Sequence, residues 1–491
     1  MKKKRSVRDK IIMVLLFILL FISILIFCAT NYYKAQFGGQ VFENLIYNVQ
    51  GNVECANLEV IVKGLKASII PFIIFSIIVL LPIVVKNKDN SLKLFPLKKN
   101  IKSYAIYTIS IFLLVIISSL SRIGTFTYLK SQLSTSEVFE EEYVPTKDVK
   151  LEFPDKKRNL IYIFMESMES SLFTINNGGG YPYPLMPELE AIALNNTNFS
   201  DDNDLGGAMQ VIDTGWTVAG MVAQTAGVPL KMNTNNGYDK FLSGVYSLGD
   251  ILDKEGYNLE IMMGSDASFG SRKDYFTDHG NYLIYDVNEA IKRGKMKKED
   301  RVWWGFDDED LFEWSKEELT NLAKSDKPFN YMLLTADTHF VDGYLSDKSF
   351  DKYLQKYENV HAYSSKLVSE FIDWIMQQDF YDNTTIVIVG DHLGMQTKFY
   401  DDNLIDDYDR RILNIFINSV LKEENNFNRE FSTMDIFPTV LASMGVKIDG
   451  DRLGLGTNLY SGKKTLIEEI GFKEFDKEIA KKSKYYKDYL E

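Results

Sequence analysis

Hydrophobic positions along the chain fall into two regimes. In the first quarter they form unbroken runs: IIMVLLFILLFISILIFCA from Ile11, ASIIPFIIFSIIVLLPIVV from Ala67 and SYAIYTISIFLLVIISSLS from Ser103. Each approaches the roughly 20 residues that cross a hydrocarbon core, so the pattern predicts three membrane helices over about 11–29, 67–85 and 103–121. The first is too long for a signal-peptide core, and no small-residue cleavage site follows it directly. Beyond residue 122 the runs shorten to NLIYIFME (159–166), YNLEIMMG (257–264), FNYMLLTAD (329–337) and TTIVIVGD (384–391). Near-continuous apolar runs of this length suit strands buried on both faces of a sheet. Between them MPELEAIAL, VYSLGDILDKEG and VHAYSSKLVSEFIDWIMQQ repeat apolar residues every three or four positions, as amphipathic helices do. Strands alternating with helices predict an α/β domain over 159–491 with a largely parallel sheet flanked by helices. The charged, irregular stretch 122–158 reads as a linker that begins with a helix.

Charge orients the membrane part. MKKKRSVRDK precedes the first run, and lysines 86, 88, 93, 98, 99 and 102 separate the second from the third. Positive-inside logic places both segments in the cytoplasm, and an odd number of crossings sends the α/β domain outside. The net charge of −13 and the lack of a basic stripe argue against nucleic acid as a partner. Cys28 and Cys55 are the two cysteines. With none after residue 122, disulfide staples and thiolate metal sites are excluded from the outer domain.

In open α/β sheets ligands collect beyond the carboxyl ends of the strands. The predicted strands end at Glu166, at Gly264 before Ser265-Asp266, at Asp337-Thr338-His339 and at Asp391-His392. Single residues of this kind often cap the next helix, but four such endings together mark a site. GDHLGM, from Gly390, sets a carboxylate beside an imidazole, and Glu166 adds a third donor. Two carboxylates and one imidazole suit Mn²⁺ or Mg²⁺, with Zn²⁺ also compatible. In DTGWTVAGMVAQTAGVPL, Thr217 opens a run of small apolar residues with helical spacing. Two roles fit it: N-cap of that helix, or a nucleophile that a divalent cation and the helix N-terminus would activate. Thr214 and Ser243 open no comparable run. Of the four histidines, His339 follows a strand and is a candidate acid or phosphate-oxygen donor. His361 lies on the long amphipathic helix and suits packing, and His279 has no assignment. Arg272, in FGSRKDYF, is a candidate anion fork whose alternative is an ordinary surface arginine.

These motifs together resemble the lipoteichoic acid synthase / phosphoglycerol transferase family of the sulfatase–alkaline phosphatase superfamily. NLIYIFMES, GWTVAGMVAQTAGVPL, VWWGFDDEDLF, LLTADTHFVDGY, VGDHLGM and STMDIFPTVLASMGV carry the likeness over most of residues 159–460. The threonine segment and TADTHFVDG look closest to the branch that acts on periplasmic glucans. The resemblance implies a metal held by Glu166, Thr217, Asp391 and His392, with Mn²⁺ the first expectation. It also implies Thr217 as nucleophile, His339 on the substrate side and Arg272 against the phosphate. Phosphoglycerol would pass from phosphatidylglycerol in the bilayer, through a covalent threonine intermediate, to a glucan, another surface glycan or polyglycerolphosphate. The chain departs from the lipoteichoic acid synthases at Gly270, where they have tryptophan, at Trp216, where they have lysine, and in three rather than five membrane helices. A sulfatase would need a C/S-x-P-x-R pattern, which TVAGM lacks. A phosphoethanolamine transferase or a phosphodiesterase-like hydrolase of the superfamily is the alternative, and a catalytically dead scaffold would have lost the nucleophile or ligand positions that are present here.

Overall fold

A computed structural model describes residues 7–37, 58–84, 101–231, 240–421 and 428–491. The chain divides into two compact units, one of membrane-type helices up to Leu129 and one carrying Lys130–Glu491.

The first unit contains α1 (Val7–Phe37), α2 (Leu58–Val84) and α3 (Ile101–Arg122). Leu16, Leu20, Val79 and Tyr104 form its small buried cluster, and Phe27 stacks on Phe75 at 4.0 Å. Two stretches, Val7–Ala35 and Ile101–Arg122, are long and apolar enough to span a bilayer. Of the three expected spans, the first and the third meet that requirement over their described residues. Within α2 the described side chains cover the apolar stretch Gly64–Val79. Cys55 and the loop lysines at 86, 88, 93, 98 and 99 lie outside the described residues.

In the second unit the apolar runs form a seven-stranded sheet. Its strands are β1 (Asn159–Met165), β2 (Gly207–Ala208), β3 (Asn258–Met263), β4 (Leu283–Tyr285), β5 (Phe329–Leu334), β6 (Thr384–Gly390) and β7 (Ile412–Ile417). They lie in the order β2-β7-β6-β1-β5-β3-β4. All neighbouring pairs are parallel except β6–β7 and β2–β7, so the sheet is mixed and mostly parallel. Side chains alternate across it. Leu160, Tyr162 and Phe164 enter one core layer, and Ile161, Ile163 and Met165 enter the other. Burial on both faces explains why β1 reads as a continuous apolar run.

Helices cover the sheet, among them α4 (Pro187–Asn195), α5 (Thr217–Ala226), α6 (Arg272–Asp278), α7 (Asp308–Leu322) and α8 (Lys356–Met376). Helix α5 packs in the first core layer, and α4, α7 and α8 in the second. Asp307 caps α7 by accepting from Asp310 N at 3.0 Å, and Asp308, Glu309 and Asp310 set negative charge in its first turn, where the helix dipole favours it. Residues from 130 onward already pack against this unit. Val138 and Phe139 are buried in the first layer, and Phe139 meets Tyr486 edge-on at 5.3 Å.

His361 on α8 is fully buried, with both ring nitrogens lacking a hydrogen-bond partner. It packs edge-on against Tyr357 at 4.4 Å. Burial pushes its pKa down to about 3. A depressed imidazole pKa makes the folded state lose stability as pH falls below the ordinary value near 6.5, because only the unfolded chain takes up the proton. At pH 5 that cost is about 2 kcal/mol. His361→Leu is expected to flatten the acid side of the stability profile and to leave stability at pH 8 nearly unchanged, as read by denaturant melts at both pH values.

Candidate active site

Register brings the strand ends level. Phe164 pairs with Leu334, Met165 with Gly390, and Met263 with Leu334. Glu166, Thr335, Asp391 and Gly264 therefore emerge at one edge, with β1 central between β5 and β6. Glu166, Asp391 and His392 are buried there, and one ligand atom of each lies within 4.8 Å of the others. His392 Nε2 stands 3.5 Å from Glu166 Oε1 and 3.4 Å from Asp391 Oδ2.

The backbone orients each group. Asp391 Oδ1 accepts from the amides of Ser167 and His392, both at 2.8 Å, which leaves Oδ2 facing the cluster. His392 Nδ1 lies 2.8 Å from Leu393 O. A proton on Nδ1 satisfies that carbonyl and gives Nε2 a lone pair. Asp391 Oδ2 and His392 Nε2 are buried and have no hydrogen-bond partner. Unpartnered buried acceptors are costly, and their convergence beside the Glu166 carboxylate is an arrangement that a cation relieves. The residues present therefore fit a divalent metal.

Thr217 joins this group. It occupies the first turn of α5, while Trp216 holds the N-cap position and makes no side-chain cap bond. The threonine hydroxyl is thus not the cap. It donates instead to Glu166 Oε2 at 3.2 Å. Helix α5 reaches the strand end because of Gly220, where a Cβ would stand 2.0 Å from Asp391 O. Gln224 on the same helix donates to Gly390 O at 2.9 Å, and Gly227, at φ +66°, ends the helix in the left-handed conformation that glycine favours. Alanine in a helix gains up to about 1 kcal/mol over glycine, whereas forcing a methyl into a packed contact costs about 1–3 kcal/mol. Gly220→Ala is accordingly expected to lower the melting temperature and to depress turnover together, in thermal melts and initial-rate assays of the same sample.

His339 Nδ1 lies 2.7 Å from Phe340 O, and the imidazole stacks on Phe340 at 4.4 Å. Arg272 opens α6 and is 5 % exposed. Its Nε donates to Phe269 O at 2.9 Å and a terminal nitrogen donates to Asp266 O at 2.8 Å, so the guanidinium is fixed rather than a loose surface group. Of the other histidines, His279 bonds Asp250 at 2.8 Å and Phe241 O at 2.6 Å and is structural.

Proton affinities are shifted throughout the cluster. Burial and then the Glu166 charge push Asp391 up to about 8. Burial acts on Glu166 in the same direction, but His339, His392 and the Ser167 hydroxyl outweigh it and hold Glu166 below its ordinary value. Burial opposes a charge on His392, yet Asp391 and Glu166 prevail and raise its pKa. At His339 burial wins over Glu166 and the pKa falls. Adjacent buried carboxylates do not both ionise freely without a counter-charge, so the Glu166 charge adds to the burial that raises Asp391.

Several participants escaped the sequence reading. Ser167, at φ +53°, donates its hydroxyl to Glu166 Oε1 at 2.8 Å as well as its amide to Asp391. Thr335 Oγ1 accepts from Glu166 N at 2.9 Å. Gln210 Oε1 accepts from Leu393 N at 2.8 Å. Arg410 and buried Glu169 form an ion pair that also holds Gly394, through an amide bond of 2.7 Å to Glu169 and a carbonyl bond of 2.7 Å from Arg410. Ser167 alone was findable, as the hydroxyl next to a strand-end glutamate.

A mostly parallel sheet with a carboxylate–imidazole cluster and a hydroxyl at its carboxyl edge defines an α/β domain of the alkaline phosphatase-like class. The chain belongs to the sulfatase family, whose profile matches residues 158–446. It is 30 % identical over 309 residues to phosphoglycerol transferase I of Xanthomonas euvesicatoria pv. vesicatoria (strain 85-10), covering 61 % of this chain and 42 % of that protein. With phosphoglycerol transferase I of Escherichia coli (strain 55989 / EAEC) it shares 30 % identity over 322 residues, covering 63 % and 40 %. The match thus spans about two fifths of these relatives' length. Among solved structures, the lipoteichoic acid synthase LtaP from Listeria monocytogenes superposes with a TM-score of 0.50 at 21 % identity, covering 64 % of this chain and 80 % of that one. The lipooligosaccharide phosphoethanolamine transferase A (EptA) from Neisseria meningitidis gives 0.51 at 14 %, covering 89 % and 84 %. At those identities the likeness is one of fold.

Proposed function

We propose that the protein is a membrane-anchored, metal-dependent transferase that moves phosphoglycerol from phosphatidylglycerol to a cell-envelope acceptor, with Thr217 as nucleophile. The observation that carries this reading is the placement of the Thr217 hydroxyl on Glu166, beside the unpartnered Asp391 Oδ2 and His392 Nε2. The phosphoglycerol transferase relatives support the choice of transferred group. Glu166, Thr217, Asp391 and His392 would hold the cation. A divalent ion there, Mn²⁺ before Mg²⁺ or Zn²⁺ for a mainly oxygen donor set, would lower the hydroxyl pKa and offset charge on the phosphoryl oxygens.

The residues themselves divide the work. Arg272 binds a non-bridging phosphoryl oxygen with its fixed guanidinium. Thr217 Oγ1 forms a bond to phosphorus as the bond to the diacylglycerol oxygen breaks, and its proton leaves along the hydrogen bond to Glu166. His339, with Nδ1 engaged by Phe340 O, directs Nε2 at the substrate; its imidazolium form gives the Nε2 proton to the departing oxygen, and the neutral ring left behind takes one back from the acceptor hydroxyl. Attack by that hydroxyl frees Thr217 again. The catalytic domain, 159–491, sits outside the membrane and is joined through 122–158 to membrane helices whose N-terminus is cytoplasmic. Such a tether keeps the donor lipid at high effective concentration. Incubation with glycerol-labelled phosphatidylglycerol and Mn²⁺ tests the reading: it requires diacylglycerol release and a label on the Thr217 peptide. Label confined to lipid and water-soluble glycerol phosphate, with no protein adduct at any time point, contradicts it.

A further inference from the structure

The run Val302–Phe306 contains two adjacent tryptophans that the proposed reaction leaves unused. It is bolted to the end of β3: Phe306 N donates to Gly264 O at 3.1 Å, and Val302 and Gly305 exchange backbone bonds of 2.9 and 2.8 Å. A Cβ on Gly305 would stand 1.9 Å from Gly264 O, so the turn can lie flat on the strand end only with glycine there. The two indoles meet edge to face at 6.3 Å, with their planes 80° apart. Trp303, at φ +50°, lies along the Tyr344 ring at 6.5 Å. Trp304 stands 4.8 Å from the His339 imidazole at an interplanar angle of 63° and 5.5 Å from the Phe269 ring.

Those two neighbours belong to the two substrate-side loops. Phe269 is the residue whose carbonyl holds Arg272 Nε, and His339 is backed on its other contact by Phe340. Trp304 therefore ties the arginine loop to the histidine loop. Between Phe269 and Arg272 stands Gly270, at φ +66°, which carries no side chain. Trp304 is itself only partly buried, so an indole face remains available, while its Nε1 is shielded and has no hydrogen-bond partner.

We propose that Trp304 is a wall of the headgroup pocket between the arginine and histidine loops, and that it positions His339 while covering the C–H face of a small uncharged polyol esterified to phosphate. Aromatic faces take up aliphatic C–H groups of this kind without demanding a charge. A cationic ammonium would also suit an indole, but here it would share the pocket with the Arg272 guanidinium. This inference rests on the phosphoglycerol reading and adds the residue that selects the headgroup.

The test titrates glycerol 1-phosphate and, separately, phosphoethanolamine into the full-length, Mn²⁺-loaded protein by calorimetry, for wild type, Trp304→Ala, Trp304→Phe and Trp303→Ala. Wild type should bind glycerol phosphate more tightly than phosphoethanolamine. Trp304→Ala should weaken glycerol phosphate by about tenfold or more, as loss of a large ring from a pocket wall does. Trp304→Phe should weaken it less, and Trp303→Ala, which removes a ring that only edges onto Trp304, should lose clearly less than Trp304→Ala. In steady-state assays Trp304→Phe should raise KM for the lipid and keep kcat, since a phenyl ring still backs His339, whereas Trp304→Ala should lower kcat too. Wild-type affinity in Trp304→Ala overturns this inference alone, as does equal loss in Trp303→Ala. Preference for phosphoethanolamine overturns the headgroup class. No binding of either ligand by wild type sinks the phosphoglycerol reading and takes this one with it.

Discussion

Thr217→Ala is expected to reduce diacylglycerol release by at least about 10³-fold, the scale on which loss of a covalent nucleophile acts, and to abolish the protein adduct. The hydroxyl sits in the first turn of α5 with its proton directed at Glu166 Oε2, 3.2 Å away, and a methyl offers nothing to replace it. Thr217→Ser retains the oxygen and should retain the adduct, at a reduced rate because serine lacks the second branch that restricts χ1. The rival hydroxyl is Ser167, whose Oγ donates to Glu166 Oε1 at 2.8 Å. Its residue is fully buried behind the carboxylates, where a phosphate diester does not reach. Ser167→Ala should therefore disturb the geometry and lower the rate while leaving the adduct on Thr217. Adduct formation that survives in Thr217→Ala would move the nucleophile elsewhere.

The second large effect concerns the cation. Stripping divalent ions should bring turnover to background, and Asp391→Asn should bind metal far below one equivalent. The substitution removes a charge from a donor set that also includes Glu166 and His392 and puts an amide NH₂ or a neutral oxygen where Oδ2 faces the cluster. In the metal-free protein Asp391 holds its proton up to about 8 and the His392 pKa is raised, so a cation must displace protons to bind. Affinity should accordingly climb between pH 6 and pH 8, by up to about tenfold per unit for each proton released. Stability has the opposite sign without metal. A carboxyl with a raised folded pKa keeps a proton that the unfolded chain has already lost, so the metal-free protein should become less stable as pH rises toward 8. Saturating Mn²⁺ should reverse that trend, adding about 2.7 kcal/mol at a hundredfold excess over its Kd. Equal metal content in wild type and Asp391→Asn, measured by elemental analysis of purified protein, would remove Asp391 from the site.

Much of this site could be read from the chain before any coordinates. Burial on both faces of a parallel sheet demands apolar residues at every position, so β1, β5 and β6 announced themselves as runs. Polar residues directly after such runs had to lie at one edge, and Glu166, His339, Asp391 and His392 were found that way. Local patterning also located α5 and its glycines. It could not choose between capping and nucleophilic roles for Thr217, since both use the same residue at the same helical position. The structure removes the capping role, since Trp216 holds that position. The placement of the hydroxyl on Glu166 turned on where α5 docks, which depends on the absence of a Cβ at Gly220 against the carbonyl of Asp391, a residue remote from it in sequence.

Membrane segments show the same division. Apolar length identified all three helices, and two of them span a bilayer's thickness over their described residues, whereas the meeting of Leu16, Leu20, Val79 and Tyr104 in one buried cluster is decided by the fold. Hydropathy, periodicity and strand-end chemistry are properties of neighbours in sequence, so the chain by itself determined the α/β class, the strand ends and the residue types of the centre. Register, crossovers and the approach of loops are properties of distant pairs. Only the folded sheet decided that Ser167 would orient both carboxylates, that Arg410 would hold Gly394, and that the indole of Trp304 would come to rest on His339.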